Sequence, residues 1–189
     1  MPKTLISGPT QEPLNLQEVK CYLRLAADPL SADQYTSEDA LLSTHLMAAR
    51  AHVENITGLK LVTQVWDVYY DAWYDEFVLP VQPVQSVEIF YTDDEDTETE
   101  LESNYILDSI CIPPVVVIEE EPTATLADRN PIRIRVTAGY ELPNDIPEPI
   151  RQAMYTVIQG LYETGEISAG VTQTVKALTE HYNSLEFLQ

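Results

Sequence analysis

Residues 37–70 read SEDALLSTHLMAARAHVENITGLKLVTQVWDVYY, and the spacing of the apolar residues changes within this stretch. In the first part they recur at steps of three and four, which is typical of one face of an α-helix: Leu42, Leu46, Ala49, Val53 and Ile56. From Leu61 they recur at steps of two, as on one face of a strand: Val62, Trp66, Val68 and Tyr70. Gln64 interrupts this second pattern and indicates a less buried point. The stretch predicts a helix over 38–57 that leads into a sheet.

The helix boundaries are indicated by capping residues. Ser37 is a suitable N-cap for helix 38–57, and Gly58 suits the left-handed position that ends a helix. Asn15 and Glu18 have the spacing of a capping box, which predicts another helix over 16–25.

The C-terminal third is predicted to be helical again. Pro147 and Pro149 are placed for the start of a helix over 147–162. This helix has two apolar stripes, Ile150, Ala153, Val157 and Leu161 on one side and Tyr155, Ile158 and Tyr162 on the other, so we expect it to be central or shared with a neighbouring subunit. After a flexible break at 165–170, an amphipathic helix carries Val171, Val175, Leu178, Tyr182 and Leu185 up to a Phe187-Leu188 tip. It either docks on its own core or inserts into a groove on a partner.

Short apolar runs between the second and third helices predict an antiparallel or mixed sheet. The candidate strands are 77–79, 84–91, 105–107, 115–118 and 132–138. The acidic run from Asp93 to Glu100 is interpreted as the solvated tip of a hairpin between the strand ending at Tyr91 and the one starting near Tyr105.

The charge of the chain excludes several functions. No Lys or Arg occurs between Lys60 and Arg129, whereas 17 Asp and Glu residues lie in that gap, and the chain of 189 residues has a formal net charge of −21. Because nucleic-acid affinity depends on Lys and Arg side chains that neutralise phosphates, a segment this acidic cannot bind DNA through its phosphates. No apolar run approaches the roughly 20 residues of a membrane span, and Met1-Pro2-Lys3-Thr4 lacks the apolar segment of a signal peptide. We expect synthesis in the cytoplasm and no membrane contact.

No residue pattern indicates catalysis, a metal or a cofactor. His45 and His52 lie roughly 10.5 Å apart along a helix, too far to share a metal. The Asp93–Glu100 run lacks the glycine of a calcium loop. Cys21 and Cys111 have no partner spacing for zinc or a redox pair, and we interpret both as small buried apolar residues. Aromatic residues around Trp73 and Tyr74 suit sheet packing or a subunit interface.

The order of these segments resembles the head–tail connector, or head-completion adaptor, proteins of long-tailed bacteriophages and gene transfer agents. Four stretches carry the resemblance, which spans most of residues 12–166. The first two are EPLNLQEVK through Tyr22-Leu23-Arg24, and DALL through AARAHVE to Thr57-Gly58. The others are PVQSV with Tyr91, and TAGY leading to Ile146-Pro147, IRQA and Tyr162-Glu163.

The resemblance implies a structural virion protein without enzymatic activity or cofactor. Family members form a ring, typically dodecameric, that sits under the portal, extends the DNA channel and offers a platform for the tail or stopper proteins. DNA would pass through without specific binding, since an acidic wall repels it. The C-terminal segment of the family commonly contacts the portal, which makes these residues candidates for portal binding: Val175, Leu178, Tyr182, Leu185, Phe187 and Leu188. Candidates for the subunit interface are Tyr155, Ile158, Tyr162, Trp73 and Tyr74.

We therefore expect an α+β protein with a small core of about four helices and a sheet inserted between the second and third. Residues 1–170 would form the connector core, with the β insertion at 61–138, and residues 171–189 a C-terminal docking helix. The expected location is the neck of the virion, at the capsid vertex. Two alternatives remain open: an acidic, monomeric binding module that mimics DNA, and a hydrolase with an unrecognised pair of carboxylates.

Overall fold

The structure, a computed structural model, describes residues 2–26 and 36–182. These residues divide into two compact units. The β unit comprises residues 2–10 and 62–141, and the helical unit comprises residues 11–26, 36–61 and 142–182. None of the helices in the described ranges is long and apolar enough to cross a bilayer.

The β unit contains two antiparallel sheets. Its strands are β1 Lys3–Ser7, β2 Gln64–Tyr70, β3 Glu76–Val78, β4 Val84–Thr92, β5 Glu98–Leu101, β6 Tyr105–Asp108, β7 Val115–Ile118 and β8 Ile132–Ala138. The larger sheet has the order β1-β2-β8-β4-β5, and the smaller one has the order β3-β7-β6. Both sheets contribute to one apolar core, with Phe77 and Val116 of the small sheet among the buried residues.

β8 lies at the centre of the large sheet, between β2 and β4, and its residues alternate strictly between buried and half-buried. Ile132, Ile134 and Val136 are fully buried, while the intervening Arg133 and Arg135 point to the other face. Ile134 pairs with Val68 of β2 on one side and with Ile89 of β4 on the other. The period of two in this segment therefore places one face of three strands in the core.

Gln64 is buried, although the sequence predicts a less buried point there. It is only 3% exposed, and its Oε1 accepts a hydrogen bond from Nε1 of Trp66 at 3.2 Å. A polar side chain can be buried in a strand when such a partner is present.

The acidic hairpin also differs from the prediction. The strand ending at Thr92 pairs with β5, whereas the strand that starts at Tyr105 belongs to the small sheet. Oδ1 of Asp93 closes the tighter turn by accepting hydrogen bonds from the backbone N–H groups of Glu95 and Thr97. β5 was missed because its sequence, Glu98-Thr99-Glu100-Leu101, is too polar to show an apolar period, and the exposed β1 was missed as well.

The helical unit contains α1 Leu16–Tyr22, α2 Asp39–Thr57, α3 Glu148–Thr164 and α4 Ala169–Thr179, with short 3-10 turns at Pro143–Asp145 and Glu180–Tyr182. α2 packs on α3, and α3 packs on α4. The predicted α+β fold, with most of its strands between the second and third helices, is confirmed. The proposed division at residue 170 stays a prediction.

α1 begins as predicted and ends earlier. The Asn15–Glu18 capping box is present, with N–H of Glu18 donating to Oδ1 of Asn15 at 2.8 Å. The helix stops at Tyr22 rather than Leu25 because Arg24 adopts a left-handed conformation with φ of 60°. N–H of Leu25 then donates to the carbonyl of Lys20 at 2.9 Å, the bond pattern of a Schellman motif.

The ends of the other helices agree with the prediction in part. Gly58 closes α2 in the left-handed region with φ of 76°, as expected. The N-cap of α2 is Glu38, without a side-chain hydrogen bond, so the assignment of Ser37 as the cap is wrong. The predicted break at 165–170 is shorter than expected, because Gly165 ends α3 and the Ser168 hydroxyl already caps α4 by accepting from N–H of Val171.

Candidate assembly surfaces

The candidates for portal binding on α4 differ in their accessibility. Val175 is fully buried within the helical unit, and Leu178 and Tyr182 are half-buried. Leu185, Phe187 and Leu188 lie outside the described residues. α4 comes close to α3 at Gly160, where an added Cβ would stand 3.1 Å from Cγ2 of Val171. The described part of α4 is therefore docked on its own unit, and Leu178 and Tyr182 keep part of their apolar surface exposed near its C-terminal end.

The second apolar stripe of α3 is covered largely by the same chain. Ile158 is fully buried, and the Tyr155 ring stacks on Tyr22 of α1 with 4.6 Å between ring centroids. Burial raises the pKa of Tyr155, and the nearby Glu18 carboxylate raises it further. Tyr162 is half-buried. The pattern that predicted a central or shared helix is thus accounted for in part by contacts within the helical unit, including the stacking of Tyr155 on α1.

Arg151 joins three segments of the helical unit. Its Nη1 donates hydrogen bonds to the carbonyls of Pro13 and Pro143, both at 3.2 Å, and its Nη2 donates to Oε2 of Glu18 at 3.1 Å. Since a planar guanidinium can reach all three acceptors at once, this side chain fixes α1 and the 3-10 turn on α3.

In the β unit, Trp73 and Tyr74 follow β2. Trp73 is half-buried and contacts Phe77 edge-to-face at 6.2 Å between centroids, with Tyr91 at 5.9 Å. Tyr74 is 50% exposed and also meets Phe77 edge-to-face. Of the two predicted interface residues, Tyr74 therefore offers more free surface.

A charged cluster on the outer face of the large sheet was not predicted. Asp67 is 2% exposed and accepts hydrogen bonds from Arg133 Nη1 at 3.2 Å and from Arg135 Nε at 2.9 Å. Arg133 also forms a bidentate pair with the exposed Glu98, and these hydrogen bonds are the main cause of the raised pKa of Arg133. The Arg133 guanidinium lies over the Phe90 ring, 4.1 Å from its centroid. The strict alternation Ile132-Arg133-Ile134-Arg135 was a signal that two arginines share one face.

Cys111, in the loop that follows β6, was predicted to be a buried apolar residue, and the structure shows that this is wrong. Cys111 is exposed, and its thiol donates to Oδ2 of Asp108 at 3.0 Å, which raises the pKa of Cys111 and lowers that of Asp108. Ile110 beside it is 91% exposed and Ile112 59%. Cys21 is half-buried.

The histidines do not converge on a metal. His45 and His52 are half-buried on α2, and burial lowers the pKa of both. Within residues 2–26 and 36–182, no group of three or more His, Cys, Asp or Glu side chains is placed to hold a metal ion.

Solved structures of other proteins share the fold of this chain. No protein-family model and no curated protein matches the chain. Among solved structures, a chain from the neck of an empty gene transfer agent particle, computed with C6 symmetry, superposes with a TM-score of 0.78 at 25% sequence identity. The match covers 97% of this chain and 95% of that one. The chain has the fold of a gene transfer agent neck protein.

Two further structures support the same fold. A chain from the virion of a native gene transfer agent particle has a TM-score of 0.77 at 22% identity, covering 94% of this chain and 95% of its own length. A chain from the neck of a native particle, computed with C12 symmetry, has a TM-score of 0.68 at 21% identity, with coverage of 95% and 94%. The predicted resemblance to connector-type proteins of phages and gene transfer agents is confirmed.

Proposed function

We propose that the chain is a structural protein of the virion neck that acts as a head–tail adaptor. In this role, copies of it form a ring under the portal, extend the DNA channel and provide a platform for tail or stopper proteins. The observation that carries the proposal is the match along 97% of the chain to a protein in the neck of a gene transfer agent particle. A match over nearly the whole length includes both units, so the similarity is not confined to one common motif.

The charge of the chain supports this role. Each copy has a formal charge of −21, so a ring of copies repels a DNA duplex and lets it pass without specific binding. The role is structural and involves no catalysis, cofactor or metal.

We assign portal contact to the C-terminal end of α4 and the residues that follow it. Val175 and Thr179 are fully buried and hold α4 on the helical unit, whereas Leu178 and Tyr182 keep part of their apolar surface free. Leu185, Phe187 and Leu188 would extend the same apolar stripe, according to the spacing of the sequence.

The test mixes the purified chain with the portal protein of the same particle and measures the mass of the complex by size exclusion with light scattering. The wild-type chain should join the portal in roughly equimolar amounts. Replacing both Leu178 and Tyr182 by Ala should weaken binding at least about tenfold, since apolar contact area is lost. Gln173→Ala, at an exposed position of the same helix, is the matched control and should bind like the wild type.

If the wild-type chain forms no complex with the portal protein, the adaptor role is overturned. The acidic binding module would then be the better hypothesis, and it predicts a monomer whose affinity for a basic partner falls steeply with salt.

A further inference from the structure

The outward face of α2 carries no charge. Its exposed residues fall on one continuous arc when successive residues are placed about 100° apart. They are Ala40, Leu41, Thr44, Met47, Ala48, Ala51 and Asn55, which we call the α2 stripe. In a chain in which 22% of residues are charged, a solvent-facing helix surface would ordinarily be rich in Lys and Glu.

The charged residues of α2 are all engaged away from the stripe. Oδ1 of Asp39 lies 2.7 Å from Nζ of Lys20, and Nε of Arg50 lies 2.8 Å from Oε2 of Glu12. Glu54 is 7% exposed and accepts a hydrogen bond from N–H of Leu61 at 3.0 Å. The charged residues of α2 thus make their contacts within the helical unit and leave the stripe uncharged.

The stripe also exposes large apolar side chains. Leu41 is 48% exposed and Met47 is 47% exposed, and they lie at the two edges of the arc with alanines between them. Small residues flanked by larger ones let a second backbone approach closely while the edges pack around it. His45 and His52 adjoin the arc, and burial lowers the pKa of both, so this border is neutral at pH 7 as well.

We propose that the α2 stripe binds a second copy of this chain. The choice of occupant rests on the proposed ring. It is also argued from charge: two copies that each carry −21 repel one another, and a face without acidic residues adds no further repulsion at the contact. A basic partner would instead be matched by the acidic surface that the rest of the chain offers. The structural neighbours from necks with C6 and C12 symmetry show that proteins of this fold occur in cyclic particles.

The size of the stripe predicts a weak contact between any two copies. From Ala40 to Asn55 the helix rises about 22 Å, and a width of about 10 Å gives about 220 Å² per copy. A standard interface buries about 800 Å² per partner. The pairwise affinity should therefore be low, and a closed ring would depend on several such contacts acting together.

The experiment follows self-association of the full-length chain by sedimentation, from micromolar to about millimolar concentration, in about 0.05 M and about 0.5 M salt. Because salt screens the repulsion between like-charged copies, wild-type association should increase at the higher salt. Ala48→Glu introduces a carboxylate into the stripe, and it should raise the concentration needed for the same average mass about a hundredfold. Gln173→Glu introduces the same carboxylate at an exposed position of α4 outside the assigned portal contact and should associate like the wild type.

Circular dichroism establishes that both variants keep the helix content of the wild type, which is expected because Glu is a good helix former. The proposal is overturned if the wild type stays monomeric at every concentration and salt, or if Ala48→Glu associates like the wild type. The two proposals fail separately. Stripe-dependent association without portal binding would refute only the adaptor role, and portal binding with unaffected Ala48→Glu association would refute only the stripe.

Discussion

Replacing Asp67 by Asn removes a buried negative charge that two arginines share. The carboxylate is 2% exposed and lies within 3.2 Å of Arg133 Nη1 and 2.9 Å of Arg135 Nε. Asn has nearly the same shape and keeps one acceptor oxygen, so the substitution tests the charge rather than the packing.

The expected loss of stability follows from burial. Removing one partner of a buried ion pair costs about 3–5 kcal/mol when the other charge is left without compensation. Here Arg133 keeps its bond to Glu98, and the side chain of Arg135 is 35% exposed and can be solvated. We therefore expect a loss of about 2–3 kcal/mol in the free energy of unfolding of the β unit, or about 1 M in the urea midpoint.

Glu98→Gln is the matched control because it acts on the same guanidinium. Toward Arg133, Glu98 has the better geometry, accepting two hydrogen bonds at 2.9 and 2.8 Å where Asp67 accepts one at 3.2 Å, but the Glu98 side chain is 47% exposed. Asp67 also accepts two hydrogen bonds from Arg135, at 2.9 and 3.1 Å. Exposed pairs contribute about 0.2–1 kcal/mol, so the control should cost less than Asp67→Asn despite its geometry.

Tryptophan fluorescence during urea unfolding is the suitable assay. The 2 tryptophans of the chain, Trp66 and Trp73, both belong to the β unit, so their signal reports on that unit. The argument that burial outweighs geometry would be refuted if the free energy of unfolding of Asp67→Asn lay within about 0.5 kcal/mol of the wild-type value. It would also be refuted if Glu98→Gln lowered that free energy more than Asp67→Asn does.

Three further predictions concern individual positions. Gly139 has φ of 119°, and an added Cβ would overlap the carbonyl of Val62, so Gly139→Ala should destabilise the β unit by about 3 kcal/mol, measured by the same fluorescence assay. Arg151→Lys cannot reach all three acceptors and should cost the helical unit about 2 kcal/mol, followed by circular dichroism during thermal unfolding. Burial lowers the pKa values of His45 and His52 from 6.5, so the stability that depends on their neutral forms is present above about pH 6.5 and is lost as pH falls from there through the lowered values. Replacing both by Gln should flatten the dependence of the unfolding midpoint on pH between about 7 and 5, and an unchanged slope would contradict the assignment.

Several features of the fold could be predicted because they depend on neighbours along the chain. The capping box of α1 joins Asn15 to a residue three positions later, and the left-handed Gly58 directly follows the helix that it ends. The apolar period of β8 likewise reflects one strand in one orientation. Such interactions act over a few residues, so a short window of sequence contains both partners.

Other features required the tertiary structure. The sequence placed Val175 among the residues for a partner, whereas in the structure it is buried within its own unit, because an amphipathic stripe does not indicate which surface covers it. The α2 stripe was not predicted, because the apolar period of a helix identifies its buried side and does not indicate what the opposite side contacts.

The sequence alone determined the helices, the principal strands, the acidic character of the middle and the resemblance to connector proteins. Only the tertiary structure decided that β5, rather than the strand at Tyr105, pairs with β4, and that Asp67 is buried against Arg135, 68 positions away along the chain. The physical reason is the range of the interactions: period and capping are local, whereas strand pairing and charge burial depend on which distant segments the core brings together.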